Sequence, residues 1–337
     1  MRKKILSILQ YILFLGLGIF LVWWSIHKIG EKGWLQFKQA LTEARYWLIL
    51  PVAVILLLSH YFRAIRWKLL MEPMGYRPRT VNTYFAVLIG YLANLAVPRL
   101  GEVLKCTLLG RYEKVPADKL IGTIVVERAI DVVTLLLVFF ITLILESKIV
   151  GDYAADMIKT IYQNKQGEIS YLRITSITTA LLLMFFAGRY ILKHYTHIRI
   201  VDKIKNILNG VWAGLSSVQH MKQKWLFTFY TLLIWTCYLL GTYIGFMALK
   251  ETTGVPFNAS FPVLAFASIG MILTPGGIGA YAFFVAAVLE LYKVPEAIGF
   301  ANGTLQWFAQ FIIVLSAGFI ALLLLPVYNK KTSHAQR

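Results

Sequence analysis

Charged residues set within or beside apolar runs are where this sequence could do chemistry. Arg63 and Arg66 share a helix end with Trp67; Arg99 and Glu102 stand at a Pro98-Arg99-Leu100-Gly101 break; and Glu127, Arg128 and Asp131 open another apolar run. A charged side chain at the centre of a bilayer costs at least about 2.5–3.5 kcal/mol on insertion scales, a cost that falls when Arg and Glu are placed to pair. The spacing therefore predicts that Arg99 pairs with Glu102 or Glu127. Arg66 and Lys68, near the end of their run, can instead extend along the apolar surface to lipid headgroups. A second break, Thr274-Pro275-Gly276-Gly277-Ile278-Gly279, has no charge but offers the start of a new helix. Helix N-termini present unpaired N–H groups and a partial positive charge, and glycine lets backbone approach a ligand. Gly101, Pro275, Gly276, Gly277 and Gly279, with Arg99 nearby, are thus suited to an anion such as a phosphate. The same glycines also suit tight helix packing.

The soluble chemistries leave no trace. There is no nucleophile elbow, no zinc-binding helix motif and no phosphate-binding Gly loop, and no cofactor is expected. Glu127 and Asp131, four residues apart on one helix face, could supply the acid and base of an enzyme acting on lipid headgroups. Of the six histidines only His60 falls within a span, where it reads as a packed side chain. Cys106 and Cys237 lack metal or redox spacing, so no disulfide framework is expected.

The elements that must position these residues are membrane helices. Hydrophobic residues are 58% of the chain, charged residues 15%, and mean hydropathy is +0.66; soluble domains carry roughly 25% charged residues. The reading is an all-α polytopic membrane protein with a single domain over 1–337. A net charge of +18 invites a nucleic-acid partner, but the basic residues are divided among short loops, as topology signals and anionic-lipid contacts are. A membrane phospholipid or lipid-linked headgroup is the partner expected instead. The N-terminus runs Arg2-Lys3-Lys4 and then apolar to Ile26, too long for a signal-peptide core, with Trp23-Trp24 where small residues would be cleaved; a retained helix is expected.

Six full spans are expected: 5–26, 46–70, 119–145, 171–193, 225–249 and 296–325. A polar connector fills 31–45, and 194–224 reads as an amphipathic surface helix. Two segments differ from the spans and match each other. Thr80–Tyr112 and Ala259–Tyr292 are each an apolar half, a Pro/Gly break and a second half. Backbone freed by a break cannot face lipid, so both are expected to be re-entrant hairpins. With that topology, 24 of the 34 Lys and Arg fall on the side of the termini, which makes both termini cytoplasmic and the protein a multi-pass cell-membrane protein. Span–hairpin–span then occurs twice in opposite orientation, at about 46–146 and 225–325, an inverted-topology repeat. Such repeats with broken helices mark transport sites near mid-membrane.

Four motifs, in order and spacing, resemble the flippase-like transmembrane region of the lysylphosphatidylglycerol synthase family: Arg63-Ala64-Ile65-Arg66-Trp67, Asn94-Leu95-Ala96-Val97-Pro98-Arg99-Leu100-Gly101-Glu102, Glu127-Arg128-Ala129-Ile130-Asp131 and Thr274–Gly279. The likeness covers about residues 5–325, as in a stand-alone member without the synthase domain. It implies lipid translocation without lipid synthesis, and adds Asn94 to the residues expected to bind substrate. Ala282 stands where the family often has Glu, which leaves open a different headgroup or use of the first motif alone. The expected function is transfer of a phosphate-bearing lipid between leaflets; a headgroup enzyme and a non-transporting partner subunit are the rivals.

Overall fold

A computed structural model describes residues 2–97, 99–147 and 221–335, together with Thr175, Thr179 and Val218. Among the described residues every regular element is helical: α1 (Arg2–Thr42), α2 (Ile49–Met71), α3 (Thr80–Ala96), α4 (Leu100–Glu113), α5 (Ala117–Leu145), α6 (Lys224–Phe246), α7 (Ser260–Leu273), α8 (Ala280–Leu291) and α9 (Glu296–Ala335), with short 3-10 turns between some of them. Five stretches are long and apolar enough to cross a bilayer: Leu13–Thr42, Tyr46–Met74, Lys119–Leu145, Lys224–Phe246 and Glu296–Lys330. The chain is a polytopic helical membrane protein. Almost all of the expected span 171–193 and of the expected surface helix 194–224 lies outside the described residues.

The connector expected at 31–45 is instead mostly helix. α1 continues to Thr42 beyond a break at Gly30, whose φ of 63° only glycine adopts without cost. Its far part carries Phe37 and Ala40 into a core, which holds it helical despite its polar residues.

The two broken segments are antiparallel hairpins. In the first, Asn82 at the start of α3 hydrogen-bonds Glu113 at the end of α4, while Gly90 and Gly101 bring the two backbones into direct contact near the turn. A side chain at Gly101 would collide with the Gly90 carbonyl, so glycine is required there for the arms to close. In the second, Gly270 of α7 lies against Ala280 of α8, and Phe266 stacks on Phe284 farther along. The arms contain 17, 14, 14 and 12 residues. At 1.5 Å per residue these are about 25, 21, 21 and 18 Å long, short of a core about 30 Å thick.

Each hairpin has its own core. α3 and α4 pack with α2, the start of α5 and Phe227 of α6 around Trp67, Leu70, Val87, Cys106, Leu109 and Leu120. α7 and α8 pack with α1, α9 and the end of α6 around Val263, Ala267, Val285, Leu289, Phe300 and Ala301. α9 joins the halves, with Gly318 against Leu92 of α3 and Asn329 hydrogen-bonded to Asn82. Cys106 and Cys237 are free thiols.

Candidate functional site

Helical spacing sets up the site. Arg63 and Arg66, three apart on α2, and Glu127 and Asp131, four apart on α5, each fall on one helix face. The faces meet. Arg63 Nη1 donates to Glu127 Oε1 at 2.7 Å and to Asp131 Oδ2 at 2.8 Å, and Arg66 Nη2 to Asp131 Oδ1 at 2.7 Å. The first hairpin supplies a third cation: Lys105 Nζ on α4 donates to the other Glu127 oxygen at 2.9 Å, and its ammonium lies 4.6 Å from the Trp67 ring centroid. Trp67 is fixed in turn by its indole N–H on Thr123 Oγ1 at 2.8 Å. One turn from Lys105, Glu102 accepts from Arg128 Nε at 2.8 Å.

Burial makes this arrangement consequential. Glu127 and Arg66 are fully buried, and Arg63 and Lys105 nearly so, whereas the Arg128–Glu102 pair is partly exposed. Breaking a buried ion pair by removing one partner typically costs about 3–5 kcal/mol, so the cluster locks α2, α4 and α5 together. Three buried cations, Arg63, Arg66 and Lys105, face two carboxylates, Glu127 and Asp131. The outer pair cancels itself. Among the described residues the cluster therefore holds one more basic side chain than carboxylates. Arg63 Nε and Arg66 Nε are also buried without a hydrogen-bond partner among the described residues. A recess of about 10 Å³, lined by Arg63, Tyr91, Asn94, Lys105 and Arg128 among others, opens beside the cluster. It is about the size of one water-sized atom.

Several expectations change. Arg99 pairs with neither Glu102 nor Glu127: its side chain is exposed and makes no ion pair among the described residues. Glu127 faces Arg63, Arg66 and Lys105, and Glu102 faces Arg128, so both carboxylates are already taken. Arg66 does not extend to the headgroups but is sealed inside, because Asp131 and Thr231 hold its guanidinium. Lys68 instead donates to Thr80 at 2.7 Å. The helix starts are also largely occupied. Asn94 Oδ1 accepts the Gly101 N–H at 2.8 Å, and Gly277, Ile278 and Ala280 donate to Thr274, Pro275 and Ile278. Gly276 and Gly279 have left-handed φ values of 62° and 71°; the Gly276 carbonyl accepts from Trp307 Nε1 at 2.7 Å, and Gly279 contacts the Gly18 backbone. Pro275 is buried in this turn. The second break thus packs on α1 and α9 and contributes nothing to the charge cluster. His60 is buried against the Tyr91 ring, centroids 4.3 Å apart, as a packed histidine.

Lys105, Tyr91, Thr231 and Tyr238 join the site without having been singled out by sequence. Lys105 had a signal, since it stands one helical turn from Glu102. Tyr238, which accepts from Arg63 Nη2 at 3.1 Å, is one tyrosine among 18 and had none.

The model of the lysylphosphatidylglycerol synthase TM region family matches residues 8–325. The chain belongs to that family. A relative at lower similarity, the UPF0104 membrane protein MJ1595 of Methanocaldococcus jannaschii, is 22% identical over 293 residues, covering 82% of this chain and 83% of its own length. No solved structure matches. The matched region is the family's transmembrane part rather than a catalytic domain, and within it the buried cluster draws on two of the four motifs by which the sequence resembles the family, with Glu102 of a third in the outer pair beside it.

Proposed function

We propose that this member of the lysylphosphatidylglycerol synthase transmembrane family is a lipid flippase that moves a phosphate-bearing lipid between leaflets of the cell membrane. The observation that carries the reading is the buried excess of one cation at Arg63, Arg66 and Lys105, beside a recess reached by Asn94 and Arg128. An unneutralised charge inside an apolar bundle is costly, and a phosphodiester monoanion that puts one oxygen into the recess supplies the missing charge. The enzyme reading is less well supported, because Glu127 and Asp131 are both held by arginines and neither is free to serve as a base.

The two hairpins are read as re-entrant from opposite sides, within repeats at about 46–146 and 225–325, with both termini cytoplasmic. Alternating access around the cluster then follows from rocking of one repeat against the other. Arg99 and the Gly101 turn form the tip of the first hairpin, where Arg99 draws in the headgroup. The proposal is tested by leaflet exchange of phosphatidylglycerol in proteoliposomes, comparing wild type with Lys105→Met at matched incorporation. Methionine keeps the stem and leaves two cations facing two carboxylates. Exchange falls at least tenfold while folding persists; unchanged exchange would refute the cluster as the headgroup site.

A further inference from the structure

A second space lies on the other side of Arg63. It is a cavity of about 190 Å³ enclosed by α2, α6, α7, α8 and α9, with Ile55, Gly241, Leu264, Met271 and Leu305 among its mostly apolar walls. The residues of α2 that line it, Ile49 to Leu56, lie before the charged turn and follow Arg45, Tyr46 and Leu48 of the preceding segment, and those of α6 run from Cys237 toward its end. The cavity therefore occupies the half of the bundle away from the first hairpin, with Arg45 and Tyr46 at its mouth. At its inner end stands Tyr238, the residue whose hydroxyl accepts from Arg63 Nη2 at 3.1 Å. One side chain thus borders both the cation cluster and the apolar cavity.

We infer that this cavity is a binding site for a hydrocarbon chain of the same lipid whose phosphate meets Arg63, Arg66 and Lys105, an inference that rests on the flippase reading above. Three observations fix the occupant as hydrocarbon. The walls are apolar, and an apolar cavity of about 150 Å³ already stays dry and takes up a small hydrocarbon. The lining comes from the interior of spans, so lipid chains rather than water are the molecules at hand. Tyr238 then joins the two halves of one amphiphile, its ring toward the chain and its hydroxyl toward the cation. Two of the polar side chains on the α8–α9 wall have partners, Tyr281 donating to Gln306 and Gln306 to Asn302. Gln310 is the remaining polar side chain on that wall, against an otherwise mostly apolar lining.

Gly241 provides a clean probe. A Cβ added there meets nothing within 4 Å, so a larger side chain starts in open space. Leucine also has a higher helix propensity than glycine. Ser268, on the opposite wall of α7, offers a second position.

The experiment uses phosphatidylglycerol with a photoactivatable diazirine on one acyl chain, in phosphatidylethanolamine vesicles containing the full-length protein. Adducts are mapped by mass spectrometry in wild type, Gly241→Leu and Ser268→Leu, and leaflet exchange is measured in the same vesicles. Adducts are expected on the cavity-lining segments of α6 and α7 in wild type and should fall about tenfold in both variants. Adducts on lipid-facing Leu136 and Leu143 of α5, both exposed, stay constant as the internal standard. Absence of cavity adducts in wild type, or labelling in both variants as strong as in wild type, would overturn the chain site. Cavity labelling without exchange would overturn the transport reading and leave the chain site standing, whereas exchange without cavity labelling would overturn the chain site alone.

Discussion

Arg63 and Glu127 meet 2.7 Å apart in the interior, the arginine arriving from α2 and the carboxylate from α5. Glu127 also receives Lys105 from the first hairpin, so one carboxylate holds three helices. Glu127→Ala leaves Arg63, Arg66 and Lys105 with the half-buried Asp131 as the one carboxylate among the described residues of the cluster. The expected loss is about 3–5 kcal/mol of stability, the usual consequence of stranding a buried charge. Thermal unfolding in detergent measures it, and a melting temperature equal to wild type would show that the cluster does not hold the helices together.

The turn of the first hairpin supplies a smaller and more local test. Asn94 Oδ1 accepts the Gly101 N–H at 2.8 Å, from α3 to the start of α4. Asn94→Ala removes that cap and should cost about 1 kcal/mol. Gly101→Val should cost more, because its side chain would meet the Gly90 carbonyl. Equal stability of the two variants would contradict the close approach of the arms.

These residues also show what was readable in advance. Both hairpins follow from Pro and Gly interrupting apolar runs, and their bounds emerge within about two residues of the sequence reading. The pairing of α2 with α5 was implicit in spacings of three and four. Partner choice was not, since Arg99 lies close to Glu102 in sequence but the α4 helix turns Glu102 toward Arg128. Which face of a helix meets which neighbour is decided by tertiary packing, and a single sequence contains no record of it. Tyr238 was illegible for the same reason, being 175 residues from Arg63 in the chain. The continuation of α1 was hidden because its polar residues resemble a connector until Phe37 and Ala40 are seen to be buried.

The proposed topology, drawn from the distribution of Lys and Arg, separates two exposed positions, Arg77 and Thr253. In a background with Cys106 and Cys237 replaced by Ala, Thr253→Cys should react with a membrane-impermeant maleimide in intact cells. Arg77→Cys should react only after permeabilisation. The reverse pattern would invert the protein and place the first hairpin on the outer face.

Arg99 offers a test in which stability and transport move in opposite directions. It occupies the left-handed region, with φ of 69°, at the residue before α4, and its side chain is exposed. A non-glycine residue in that conformation carries a backbone cost of about 1–2 kcal/mol. Glycine has no such cost, so Arg99→Gly should raise the melting temperature of the protein in detergent. If the guanidinium attracts an anionic headgroup to the hairpin tip, the same substitution should slow phosphatidylglycerol exchange several-fold. Salt separates this role from that of the buried cluster. An exposed charge is largely screened near 1 M salt, where the Debye length is about 3 Å, whereas buried charges are screened much less. The exchange defect of Arg99→Gly should therefore shrink as salt rises, and that of Lys105→Met should persist. Equal salt dependence of the two defects would show that Arg99 and Lys105 do not act at different depths, and an Arg99→Gly protein with wild-type exchange at low salt would remove Arg99 from the headgroup path.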